Sequence, residues 1–142
     1  MQRSVMREMV FKLLYEIEIQ KEVSDNIIDN FVESSGVSNS EAIEYYKDIV
    51  YGIENNKEEI ENLISINLKN NWTLNRISKI NLSLLKLAIY EMLYKKLPYK
   101  IAINEVIELA KKYADDSSPI FINGVLASVV KEKELDKEES ND

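Results

Sequence analysis

The chain has 142 residues, 45% hydrophobic and 30% charged, with a formal charge of −7 and neither cysteine nor histidine. That length suits one domain with a proper core, and the apolar share excludes wholesale disorder. Without thiols or imidazoles, disulfides, thiol nucleophiles, histidine-based catalysis and the usual zinc sites are all excluded, and no cofactor is expected.

Apolar residues recur at helical spacing throughout and nowhere alternate for long. The opening MQRSVMREMVFKLLYEIEIQ is interrupted by charges, so it is not read as a signal peptide. It is read as a first helix over residues 3–20, with an apolar stripe of Met6, Met9, Val10, Leu13, Leu14 and Ile17. A second helix follows Ser24 or Asp25, burying Ile27, Ile28, Phe31 and Val32, and Gly36 closes it. Ser38 with Glu41 has the spacing of a capping box for a third, which runs to Asn55 with Tyr45, Tyr46, Ile49, Val50 and Ile53 inward. Asn56 with Glu59 offers a similar start to a fourth, burying Ile60, Leu63, Ile64 and Leu68.

Thr73 is the expected cap of the fifth and most hydrophobic segment, which is therefore central, and Pro98 breaks it. A sixth helix carries Ile101, Ala102, Val106, Ile107 and Ala110. The seventh begins at Ser118, with Pro119 at a first-turn position that suits its missing N–H. The pattern gives an all-α fold of about seven helices: one domain over residues 1–132 and an acidic, frayed tail over 133–142. No stretch reaches the roughly 20 apolar residues that span a bilayer, so the protein is read as soluble and cytoplasmic, with no membrane partner.

Charge is segregated along the chain. Residues 1–15 carry a balance of +2, residues 16–68 of −10, residues 69–112 of +6 and residues 113–142 of −5. Such blocks suit a basic protein on one surface and phosphates on another, although solvated faces that merely differ give the same pattern. There is no glycine-rich phosphate loop and no nucleophile motif. Asp115 and Asp116 lack a supporting ligand cluster and read as a polar loop or cap. No enzyme is indicated.

Two stretches carry the remaining candidates. In SSPIFINGVL, Gly124 occupies a helix interior, where glycine costs about 1 kcal/mol, so a close approach by a neighbouring backbone is expected there. Asn123, if buried, needs partners for its amide. Phe121, in the first turn, is either core or a stacking surface for a base. On the first helix, Arg3 and Arg7 stand at i, i+4, with Lys12 and Tyr15 further along. Arginine forks and a tyrosine ring suit single-stranded RNA, and a solvated helix face has the same composition.

The stretch PYKIAINEVIELAKKYADDSSPIFINGVLASVV resembles the C-terminal signature of the NusB transcription antitermination factors: P-x-K-x-A-I-N-E-x-I-E-L-A-K-K, a short acidic loop with serine, then F-[IV]-N-G-V-L. Upstream, NWTLNRISKINLSLLKLAIYEM resembles the family's tryptophan, x-L-x-R and L-[RK]-L-A-x-Y-E segment, and RSVMREMVFKLLYE resembles its opening. The resemblance covers residues 3–130. It implies two packed helical subdomains and a non-enzymatic role. That role is binding boxA-type single-stranded RNA of ribosomal transcripts, together with the small-subunit ribosomal protein called NusE, within an RNA polymerase antitermination complex. Carried over by position, the RNA-binding residues are Arg3, Arg7, Lys12, Tyr15, Asp116, Ser117 and Phe121, and the motif supplies Asn104, Glu105, Asn123 and Gly124 as structural positions. The acidic segments become the expected face for a basic ribosomal protein.

The chain departs from the family in its N-terminus, which is poor in arginine. Fewer cations release fewer counterions, so weak RNA binding without the partner is expected. The alternative class is a helical protein-interaction module with little RNA affinity. A third, a NusB-like domain serving an RNA methyltransferase, is disfavoured because no cofactor-binding domain accompanies it.

Overall fold

Helical caps set where each element begins and ends. The computed structural model describes residues 3–36 and 39–140 and divides into two units, Met1–Asn56 and Lys57–Asp142. Among the described residues there are eight α-helices and one short 3₁₀ turn, and no strand.

The first unit holds α1 (Arg3–Gln20), α2 (Asp25–Ser35) and α3 (Ser40–Asn55), each packed on the other two. Burial of Met6, Val10, Phe11, Leu13 and Leu14 fastens α1. Ser24 caps α2, its hydroxyl accepting from the Ile27 N–H at 3.2 Å. Gly36 ends α2 at φ 75°, in the left-handed region where a Cβ is strained. The side chain of Asn39 caps α3, accepting from the N–H groups of Glu41 (2.8 Å) and Ala42 (3.2 Å). The expected cap Ser38 lies outside the described residues. Tyr45, Tyr46, Ile49, Val50 and Ile53 are buried as the spacing predicts, and Phe31 meets Tyr46 edge-on with ring centroids 6.1 Å apart.

The second unit holds α4 (Lys57–Ile66), the 3₁₀ turn Leu74–Arg76, α5 (Lys79–Tyr94), α6 (Tyr99–Tyr113), α7 (Ser118–Glu132) and α8 (Leu135–Ser140). The helix expected to be central is central: α5 is buried continuously from Leu82 to Met92 and packs on α4, α6 and α7. A helix buried on every side must place its polar groups among partners. Lys86, 5% exposed, meets that demand through a 2.8 Å ion pair with Glu61 on α4. Asn67, 8% exposed, donates to the Leu63 carbonyl at 2.8 Å and accepts from the Ser128 hydroxyl at 2.6 Å, joining the end of α4 to α7.

Three expectations are corrected. Asn56 does not cap α4, because its amide turns back to the Gly52 carbonyl at 2.8 Å and closes α3. Thr73 does not cap α5: it precedes the 3₁₀ turn, its hydroxyl bonded to the Asn75 side chain at 2.6 Å, and Ser78 caps α5 by accepting from the Asn81 N–H at 3.1 Å. The stretch expected to fray is helical over Leu135–Ser140 and packs on α7. No helix among the described residues is long and apolar enough to cross a membrane.

Candidate nucleic-acid interface

On the first unit the candidates all lie on α1. Arg3 is exposed in the first turn, its guanidinium carbon 5.6 Å from the centroid of the Tyr45 ring on α3. That contact orients the charge at the helix start. Arg7, expected beside it on an open face, is only 4% exposed. The cause is helical geometry: positions 3, 7, 10 and 14 form one stripe, and Val10 and Leu14 in that stripe are core residues. Arg3 reaches solvent only because the stripe begins with it.

Lys12 is exposed and Tyr15 half-buried. Lys12, Glu16 and Gln20 border a groove of about 450 Å³ between α1 and α2, whose other side carries Asn30, Phe31 and Ser34.

On the second unit, Asp116 and Ser117 are exposed where the chain turns from α6 into α7. Ser117 stands at the cap position of α7, but its hydroxyl makes no capping bond. Instead the Asp115 carbonyl accepts from the Ser118 N–H at 2.9 Å, and the Ser117 carbonyl accepts from the Phe121 N–H at 3.2 Å. Phe121 is half-buried, and the neighbour that covers it was not singled out with it in the sequence: its ring centroid lies 5.7 Å from that of Trp72, the planes inclined at 44°. The Arg76 guanidinium carbon in turn lies 5.3 Å from the Trp72 ring centroid. Nothing in the periodicity pairs Trp72 with Phe121. The signals that were available are a large aromatic within the polar run NNWTLNR and its place in the tryptophan, x-L-x-R segment that resembles the family.

The motif positions separate. Asn104 on α6 and Asn123 on α7 are both exposed and both line a groove of about 500 Å³ between these helices, with Tyr99, Ile103, Ile107 and Ala127. Asn123 therefore faces water rather than needing an interior partner. Glu105 is half-buried on α6. For Gly124 the expectation fails, since it is exposed and, beyond its own helix backbone and chain neighbours, a Cβ built there would meet no atom within 4 Å. No backbone approaches it. Among the described residues no group of three or more acidic side chains could hold a metal ion.

The two patches differ in electrostatics. The stretch 69–79, KNNWTLNRISK, which carries Trp72, holds three cations and no carboxylate, with Lys69, Arg76 and Lys79 all exposed, while Asp115 and Asp116 are exposed just before the start of α7. On α1 the exposed cations are Arg3 and Lys12 alone.

The sequence model of the NusB family matches residues 4–131. The chain is 46% identical over 134 residues to the transcription antitermination protein NusB of Clostridium novyi (strain NT), covering 92% of this chain and 99% of that protein. Its likeness to NusB of Thermoanaerobacter sp. (strain X514) is 40% over 142 residues, spanning all of this chain and 99% of the relative. Among solved structures, T. maritima NusB superposes with a TM-score of 0.84 at 34% identity, over 96% of this chain and 98% of that one. A crystal structure of antitermination factors NusB and NusE in complex with dsRNA matches with a TM-score of 0.81 at 28% identity, over 92% of this chain and 98% of the other. With the helices, their order and nearly the whole length in agreement, the chain belongs to the NusB family.

Proposed function

We propose that this chain is a transcription antitermination factor that binds boxA-type RNA of ribosomal transcripts jointly with a NusE-type small-subunit ribosomal protein, within the RNA polymerase antitermination complex. The single observation that carries the reading is family membership over nearly the full chain, alongside a similar structure described as a NusB, NusE and RNA complex. The RNA-facing residues on the first unit are Arg3, Lys12 and Tyr15. On the second they are Asp116, Ser117 and Phe121. Arg7 acts from within α1 by holding the helix that presents Arg3. The carboxylates exposed on α2 and α3, among them Asp29, Glu33, Glu41 and Glu44, suit a basic ribosomal protein. The work is done in the cytoplasm, and the chain contributes binding rather than catalysis.

With Arg7 withdrawn from the surface, α1 offers two exposed cations, so few counterions are released on RNA binding and the partner must supply phosphate contacts. The test is fluorescence anisotropy of labelled boxA-type RNA with this chain, with the ribosomal protein and with both, at two salt concentrations, beside RNA of altered boxA sequence. Tight, sequence-selective binding should need the pair, and Arg3→Ala and Phe121→Ala should each weaken it about tenfold. Tight binding by this chain alone at physiological salt would contradict the partner dependence.

A second reading has its own support. Ile120 is 80% exposed on α7 and Ile101 47% exposed on α6, as expected of a protein-interaction module with little RNA affinity. Under that reading Phe121→Ala leaves all binding intact and the boxA sequence is ignored.

A further inference from the structure

Trp72 is the single tryptophan of the chain, yet it remains 44% exposed at the surface of the second unit. The turn before it is unusual. Asn70 and Asn71 both adopt left-handed backbone, at φ 57° and 67°, and the Lys69 carbonyl accepts from the Trp72 N–H at 3.2 Å. Two consecutive left-handed residues without glycine are disfavoured for L-residues other than asparagine and aspartate, and they reverse the chain so that the indole stands at the bend. Phe121 and Arg76 contact the ring, and Lys69 and Lys79 are exposed nearby in the chain, with no carboxylate between them. An exposed aromatic pair with a guanidinium on one ring and lysines close by in the chain has the composition that holds a base by its face and its backbone by charge.

From this juxtaposition we propose that Trp72 is a nucleobase-stacking residue, and that Trp72, Phe121 and Arg76 form one binding site for single-stranded RNA. The proposal rests on the RNA-binding reading and extends it to Trp72 and Arg76, which belong to the tryptophan and x-L-x-R segment and not to the RNA-binding residues carried over from the resemblance. A solvent-exposed cation–π contact is weaker than a base stacked on an indole. An incoming base therefore displaces the Arg76 guanidinium from the ring, and the arginine turns to the adjoining phosphate. Stacking tolerates any base, so this site contributes affinity, and sequence is read elsewhere along the strand.

Because Trp72 is the only tryptophan, its emission reports on this site directly. The complex of this chain with the ribosomal protein, any tryptophan of the latter replaced by phenylalanine, is titrated with boxA-type RNA while tryptophan emission and RNA anisotropy are followed together. Emission should fall in step with the rise in anisotropy. Trp72→Leu should weaken RNA binding about tenfold while Trp72→Phe retains most of it, and Arg76→Ala should lower the slope of log affinity against log salt by about one. Circular dichroism melts and partner binding show whether the variants are folded, and the wild-type emission signal decides the matter if Trp72→Leu is not. A rise in anisotropy with unchanged emission overturns the site and leaves RNA binding standing. An emission change on adding the ribosomal protein, with none on adding RNA, makes Trp72 a protein contact and overturns it too. No rise in anisotropy for the wild-type pair overturns the RNA-binding reading, and the site falls with it.

Discussion

A methyl group added at Gly124 projects into open space, since beyond its chain neighbours and its own helix backbone no atom lies within 4 Å of where its Cβ would stand, and α7 runs unbroken through the position. Gly124→Ala should therefore stabilise the protein by about 1 kcal/mol, through helix propensity and reduced freedom of the unfolded chain. A thermal melt should show the gain as roughly 3–6 °C. A lowered melting temperature would mean that the helix needs glycine there after all. The same change at Gly36 has the opposite sign, because φ 75° forces any Cβ into strain. Arg7 was legible in principle: its place in line with Val10 and Leu14 marks it as inward, and the charge alone suggested otherwise. Gly124 was not, because a helical glycine that admits a neighbour and one that faces water look the same in one sequence.

At the scale of elements, capping decides where helices begin, and capping is where sequence reading was least reliable. The segment around α5 offered two hydroxyls, Thr73 and Ser78, ahead of one apolar run. Ser78 does the capping, and Thr73 spends its hydroxyl on Asn75. Ser78→Ala should cost about 1 kcal/mol and Thr73→Ala only a few tenths, read from urea midpoints. Equal costs would show that the short 3₁₀ turn and α5 melt as one capped unit. The existence and order of the seven predicted helices were legible because each carries a long 3.6-residue stripe. The short helix α8 escaped because six residues show too little periodicity to be distinguished from an acidic tail.

For the molecule as a whole, the absence of histidine leaves no imidazole to titrate near neutrality, and the tyrosines govern the alkaline side. Burial, and then the Glu59 carboxylate, push Tyr94 up to about 12. Burial raises Tyr46, while Tyr51 is raised first by its hydrogen bond to Asp25 and then by burial and the charges of Asp25 and Asp29. Unfolded tyrosines lose their protons near pH ~10. Above that pH the unfolded chain binds fewer protons than the folded one, so stability falls as pH rises. The tyrosine contribution is thus complete below about pH 10 and is lost by about pH 12. Urea midpoints at about pH 9 and about pH 11 should show the decline, and Tyr94→Phe should make it shallower. An unchanged slope in that variant would mean that Tyr94 ionises alike in both states.

The sequence by itself determined the all-helical class, the central place of α5, the breaks at Gly36 and Pro98, and the family to which the chain belongs. Those properties are local or lie in contiguous motifs, and apolar periodicity, glycine and proline write them directly into the chain. Only the tertiary structure decided which candidates reach the surface, and which residues meet across the second unit. Arg7 turns inward, Asn123 and Gly124 turn outward, and Trp72 comes to lie against Phe121. Residues far apart in the chain become neighbours only when packed helices fix their separation and rotation, and a single sequence carries no record of either.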